Sequence, residues 1–144
     1  NLRKLFVLDL SHNQLTSLPS KILQNLNKLN SIRLNNNQLT FLLSELFSNL
    51  VELTEIHLKS NQLTSLTAHH FSNNKWLQQV WLNDNKITKL DSKMFDNMQS
   101  LQVVDLRGNR CVDKAYGDGI WFNEKAFLRD KNEFNDDVTR KCFN

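Results

Sequence analysis

The chain has 144 residues, 40% of them apolar and 23% charged, and Lys plus Arg (18) exceed Asp plus Glu (15) by three. That apolar share is enough to close one core and excludes a disordered chain, while the longest apolar runs, such as Ile120-Trp121-Phe122, are far too short to cross a bilayer. Residues 1–30 alternate apolar side chains with Asn, Gln, Lys and Ser and hold no secretory signal, so an exported protein is expected to have shed it. Gly (3) and Pro (1) are scarce where an average chain of this size would carry roughly 17. Asparagine is abundant instead, with 20 residues, and this predicts many similar tight turns made by Asn, which tolerates positive φ and bonds its own backbone.

Leu5, Leu29, Leu53, Leu77 and Leu101 recur every 24 residues, and the rest of each segment follows in register without an insertion. In chain order, each repeat enters a short strand of period two: Leu8-Asp9-Leu10, Ile32-Arg33-Leu34, Ile56-His57-Leu58, Val80-Trp81-Leu82 and Val104-Asp105-Leu106. The connections are long enough to cross over and return on the same side, so the strands are expected to be parallel, about 4.8 Å apart. Next comes the column Asn13, Asn37, Asn61, Asn85, Asn109, predicted to form an amide ladder that satisfies buried backbone groups where the chain leaves the strand. Leu15, Leu39, Leu63 and Ile87, then Leu18, Leu42, Leu66 and Leu90, continue the core. Leu23, Phe47, Phe71 and Phe95 should stack as a spine on the opposite wall, followed by Leu26, Leu50, Asn74 and Met98.

The pattern L-x-x-L-x-L-x-x-N-x-L-x-x-L over residues 2–109 resembles the leucine-rich repeat, and the x-x-x-x-F-x-x-L half that follows resembles its 24-residue extracellular type. The resemblance implies an α/β repeat solenoid with a short-stranded parallel concave sheet, an irregular convex side and a C-terminal cap. Residues 1–109 would hold four full repeats and the start of a fifth, without an N-terminal cap, and residues 110–144 the capping segment of the same domain. Asn1-Leu2-Arg3-Lys4-Leu5 aligns with the tail of a repeat, so the Leu8–Leu10 strand is expected to be an open edge, covered by an upstream repeat, a partner or self-association.

The cap carries both cysteines, Cys111 and Cys142. They admit one pairing, a disulfide that speaks for an oxidising compartment, with two reduced buried thiols as the alternative. Tyr116, Ile120, Trp121, Phe122, Phe127 and Leu128 are the apolar residues available as a lid, and Asn123 is expected to cap a short helix over residues 124–129. The stretch Leu106-Arg107-Gly108-Asn109-Arg110-Cys111-Val112-Asp113-Lys114-Ala115-Tyr116 with a single later Cys142 resembles the short cap of secreted arthropod members, the leucine-rich immune proteins of mosquitoes among them.

Catalytic signatures are absent: there is no G-x-S-x-G, P-loop, paired-carboxylate or C-x-x-C pattern, so no enzyme, cofactor or metal site is expected. His69-His70 and His12 read as exposed polar turn residues. Basic residues are interleaved with acidic ones, so no nucleic-acid stripe is expected either. What stays free is the outward face of the sheet. A protein ligand is expected there, centred on Trp81 and reaching Arg33, Asn35, Glu55, His57, Lys59, Gln79 and Asn83, because an exposed indole among polar groups is how interface anchors are arranged. Trp76, in the column Lys4, Lys28, Glu52, Trp76, Ser100, is expected to pack at a strand entrance. These readings point to a secreted protein-binding module, in innate immunity by the resemblance; the alternative is a structural or adhesive scaffold without a ligand on the sheet.

Overall fold

A computed structural model describes residues 2–117 and 126–142. Five three-residue strands lie side by side in parallel: β1 (Val7–Asp9), β2 (Ser31–Arg33), β3 (Glu55–His57), β5 (Gln79–Trp81) and β7 (Val103–Asp105). Their register is set by the repeat, with Leu8 opposite Ile32, Ile32 opposite Ile56, Ile56 opposite Val80, and Val80 opposite Val104. Two shorter strands, β4 (Ser65–Leu66) and β6 (Lys89–Leu90), pair in a second small sheet between neighbouring repeats. The expected five-stranded sheet gains a sixth member, β8 (Ala115–Gly117), which pairs antiparallel with β7. The chain turns straight back after the last repeat, with no crossover connection to keep it parallel.

The repeated apolar columns form the core. Leu29, Leu53, Leu77 and Leu101, and the inward strand residues from Ile32 and Leu34 to Val104 and Leu106, are fully buried. Leu5, Leu8, Leu10 and Leu15 in the first repeat are only partly buried, and Phe6 and Val7 beside them are exposed. Phe47, Phe71 and Phe95 stack with centroids 6.0 and 6.1 Å apart, the spine the spacing predicts. The amide ladder is present as well. In each internal repeat the Asn Nδ2 donates to a carbonyl of its own repeat and to one of the repeat before, as Asn61 does to Leu58 and Leu34, while its oxygen accepts an N–H of the preceding turn.

Every turn after a strand carries one residue at positive φ, and these too recur every 24 positions: His12, Asn36, Ser60, Asp84 and Gly108. Asparagine was expected here, yet it fills this column only at Asn36. The left-handed conformation accepts other short polar residues and glycine, and the asparagine that the fold requires is the next residue, in the ladder.

The cap departs most from expectation. Its helix α1 runs from Ala126 to Lys141, far longer than the short helix expected over 124–129; Asn123, Ile120, Trp121 and Phe122 lie outside the described residues. Phe127, Phe134, Val138 and Cys142 share one buried face, and Phe95 packs against Phe127 (5.8 Å) and Phe134 (5.4 Å), so the aromatic spine continues into the cap. Leu128, counted as a lid residue, is on the exposed side of the helix. Cys111 and Cys142 form a disulfide that ties the end of α1 to the last repeat.

Candidate functional site

Side chains alternate across each strand, so the residues flanking the inward Ile or Val project from the open face of the sheet. Parallel in-register pairing then aligns them in rows: Asp9, Arg33, His57, Trp81 and Asp105 across the middle, with Ser11, Asn35, Lys59, Asn83 and Arg107 just beyond the strand ends. Backbone bonds carry the ladder past the strands proper, for example from the Leu34 N–H to the His57 carbonyl and from the Asn36 N–H to the Lys59 carbonyl. The second row is therefore held as firmly as the first.

An open depression of about 450 Å³ lies on this face, lined by Arg33, Asn35, His57, Lys59, Trp81, Asn83, Asp105 and Arg107. Six of the eight residues singled out in the sequence thus meet at one place. Glu55 and Gln79 flank it and steady its two rings. The His57 and Trp81 rings stack at 6.2 Å with planes 13° apart. The indole N–H of Trp81 donates to Gln79 Oε1 at 3.3 Å, and His57 Nε2 lies 3.5 Å from Glu55 Oε2. The stack half-buries both rings, so Trp81 is a braced platform and not the free-standing indole the sequence suggested.

Three cations surround the rings. Arg33 and Lys59 sit 3.7 Å from the exposed carboxylates of Asp9 and Asp84. Arg107 is held much more tightly, its guanidinium reaching both oxygens of Asp105, the closest at 2.6 Å. Those bonds raise the Arg107 pKa above its usual value, and Asp105, only 1% exposed, is committed to that one partner. Asp9 is held below the usual carboxylate range, first by the hydroxyl and backbone N–H of Ser11 and to a lesser extent by Arg33.

Asp105 and Arg107 were missing from the expected site although they occupy the same columns, at the same 24-residue spacing, as Trp81 and Asn83. Asp105 and Val103 alternate with the inward Val104 and so lie on the open face of the sheet, yet both are buried because β8 and α1 pack against β7. Ser31, in the row of Val7 and Glu55, is buried as well. Asn83 is 8% exposed, its amide nitrogen donating to Asp84 Oδ2 at 3.0 Å.

Elsewhere two expectations are corrected. Trp76 does not pack at a strand entrance but is 63% exposed. Its column lies outside the inward rows, and its neighbours there, Glu52 and Ser100, are polar. His69 is exposed, whereas His70 is buried: its Nδ1 accepts from the Thr67 N–H at 3.1 Å and its Nε2 reaches the Leu42 carbonyl of the preceding repeat, also at 3.1 Å. Among the described residues no cluster of His, Cys, Asp and Glu is arranged to hold a metal, and no helix is long and apolar enough to cross a membrane.

Comparison with known proteins agrees with this architecture. Residues 1–63 and 52–110 each match the model of the family described as leucine rich repeat. A chain in the structure of the Toll–Spatzle complex of Drosophila, described as a molecular hub in development and innate immunity, is 33% identical over 69% of this chain and 13% of its own, with a TM-score of 0.67. The leucine-rich repeat domain of APL1 superposes with a TM-score of 0.73 over 75% of this chain and 29% of its own; at 24% identity that likeness concerns the fold alone. A chain in the TLR13–ssRNA13 complex is 27% identical over 71% of this chain and 14% of its own, with a TM-score of 0.64. The chain spans less than a third of each of these relatives. No curated protein sequence matches it.

Proposed function

The chain belongs to the leucine-rich repeat family, and on that premise we propose that it is the protein-binding module of a secreted protein, presenting its concave sheet to a protein ligand in innate immunity. The observation that carries this reading is the braced His57–Trp81 stack, ringed by Arg33, Asn35, Lys59, Asn83 and Arg107 on a sheet whose register leaves little freedom. A rigid platform loses little entropy on association, and an aromatic centre with a polar rim is the usual arrangement of an energetic anchor. The disulfide supports an oxidising, extracellular setting, and the 33% identity to a chain of the Toll–Spatzle complex supports a role in immune recognition. Enzymatic function finds no support in the matched family, whose repeats commit most positions to packing.

Trp81→Ala is expected to weaken binding of the protein ligand by about 2 kcal/mol or more, while folding stability changes by less than about 1 kcal/mol, because the indole lies outside the core. Titration calorimetry and thermal melting of the same preparation measure the two effects. The scaffold alternative predicts no ligand dependence on this face. A hydrogen-exchange footprint on the convex side that spares β2, β3 and β5 would replace the concave reading.

A further inference from the structure

The depression is uneven in charge. Its lining holds three cations, Arg33, Lys59 and Arg107, against one buried carboxylate, Asp105, whose bonds to Arg107 neutralise that pair and leave Arg33 and Lys59 as the excess. Arg33 and Lys59 are about half exposed and lie at 3.7 Å from Asp9 and Asp84, beyond hydrogen-bond distance, so their long side chains can turn to a better partner at small cost. Asp9, Glu55 and Asp84 stand outside the lining.

Resting on the concave-face reading above, we propose that this depression takes an acidic, extended segment of a partner protein: a carboxylate side chain among Arg33, Lys59 and Arg107, and an apolar or aromatic side chain on the Trp81 ring. A carboxylate engages guanidinium groups through charge-assisted bonds, stronger than the 3.7 Å pairs it displaces. The volume, about 450 Å³, accommodates two or three side chains and not a folded domain. The surrounding carboxylates Asp9, Glu55 and Asp84 separate this class from a nucleic acid. A single carboxylate can sit nearer the cations than to these anions, whereas a continuous run of phosphates along the same rows passes each of them in turn.

The test is fluorescence polarisation of short labelled peptides with the intact, oxidised protein: one carrying Glu-Glu-Tyr-Glu in a Gly-Ser background, its Lys-Lys-Tyr-Lys counterpart, and an oligouridine of similar length. The acidic peptide is expected to bind at least about tenfold more tightly than the lysine peptide, and to lose about tenfold or more in Lys59→Glu and Arg33→Glu, both checked for native melting by circular dichroism. Equal or tighter binding of oligouridine, indifference to Lys59→Glu and Arg33→Glu, or no saturable binding of the acidic peptide overturns the proposal. Lysine-peptide binding that Trp81→Ala abolishes overturns the acidic class while leaving the concave face as the ligand site. Peptide binding that Trp81→Ala leaves unchanged overturns both readings.

Discussion

One side chain, that of Asn61, closes three backbone groups: it donates to the carbonyls of Leu34 (2.9 Å) and Leu58 (3.1 Å) and accepts from the Leu39 N–H at 3.0 Å. Alanine would leave the Leu39 N–H without a partner and the Leu34 and Leu58 carbonyls with one donor each, from Asn37 and Asn85, in a turn too tightly packed for easy hydration, so Asn61→Ala is expected to cost about 1 to 3 kcal/mol in urea denaturation. A loss under about 0.5 kcal/mol would mean that water replaces the amide. The preceding position obeys a different rule. Ser60 sits at φ 53°, where a side chain is crowded by the backbone, and Gly108 holds the same column at φ 71°. Ser60→Gly should therefore be accepted without loss, whereas Ser60→Val should cost about 1 to 2 kcal/mol, a contrast read from the same denaturation series. The ladder was legible in the sequence because asparagine is almost irreplaceable in that role. The positive-φ column was not, because His, Asn, Ser, Asp and Gly all serve there.

The last two elements, β8 and α1, lock together through partly buried polar contacts. The Tyr116 hydroxyl donates to Asp137 at 2.6 Å, and the Gly117 N–H donates to Asp130 at 3.0 Å. Gly117 is at φ 83°, and a β-carbon there would lie 1.7 Å from the Gln102 carbonyl oxygen, so only glycine lets β8 approach β7. Burial, and then the bond to Asp137, push the Tyr116 pKa well above its ordinary 10.0. Asp137 is held below the usual carboxylate value, first by Lys141 and then by Tyr116. The signs of these two shifts bound a pH window. The raised phenol contributes stability that is full below about pH 10 and is lost as pH rises further; the depressed carboxyl contributes stability that is full above about pH 4 and is lost as pH falls. Tyr116→Phe is expected to cost about 1.5 to 3 kcal/mol at neutral pH, the range of a hydrogen bond to a charged group, and to flatten the alkaline limb of a stability–pH curve. An unchanged alkaline limb would place that limb's origin elsewhere. The sequence marked this region as a cap but its helix was underestimated, because the 24-residue period stops there and only the helical spacing of Phe127, Phe134, Val138 and Cys142 carries the signal.

For the molecule as a whole, contacts run between neighbouring repeats, and each end needs a cover. At one end the cover is β8, α1 and the Cys111–Cys142 bridge, which spans 31 residues. Closing such a loop removes unfolded-state freedom, and reduction is expected to lower stability by roughly 3 to 4 kcal/mol, measured as the shift in urea midpoint with and without a phosphine reductant. A shift near zero would mean that the Phe95–Phe127–Phe134 contacts alone hold the cap. At the other end, β1 has no strand on its outer edge among the described residues, and Leu8 and Leu10 are only partly buried.

The sequence by itself determined most of what repeats: parallel strands, their register, the ladder, the phenylalanine spine and the columns facing outward. Each of these depends on one residue and its equivalents 24 positions away, so a single period encodes them all. Only the tertiary structure decided what depends on unlike neighbours. Packing of β8 and α1 against β7 buried Asp105 and Val103, a carbonyl of the preceding repeat gave His70 its partner, and stacking on His57 turned Trp81 from an exposed indole into a braced platform. Burial and partner choice are set by the particular side chains that meet across the stack, and those are the part of the chain that the repeat leaves free to vary.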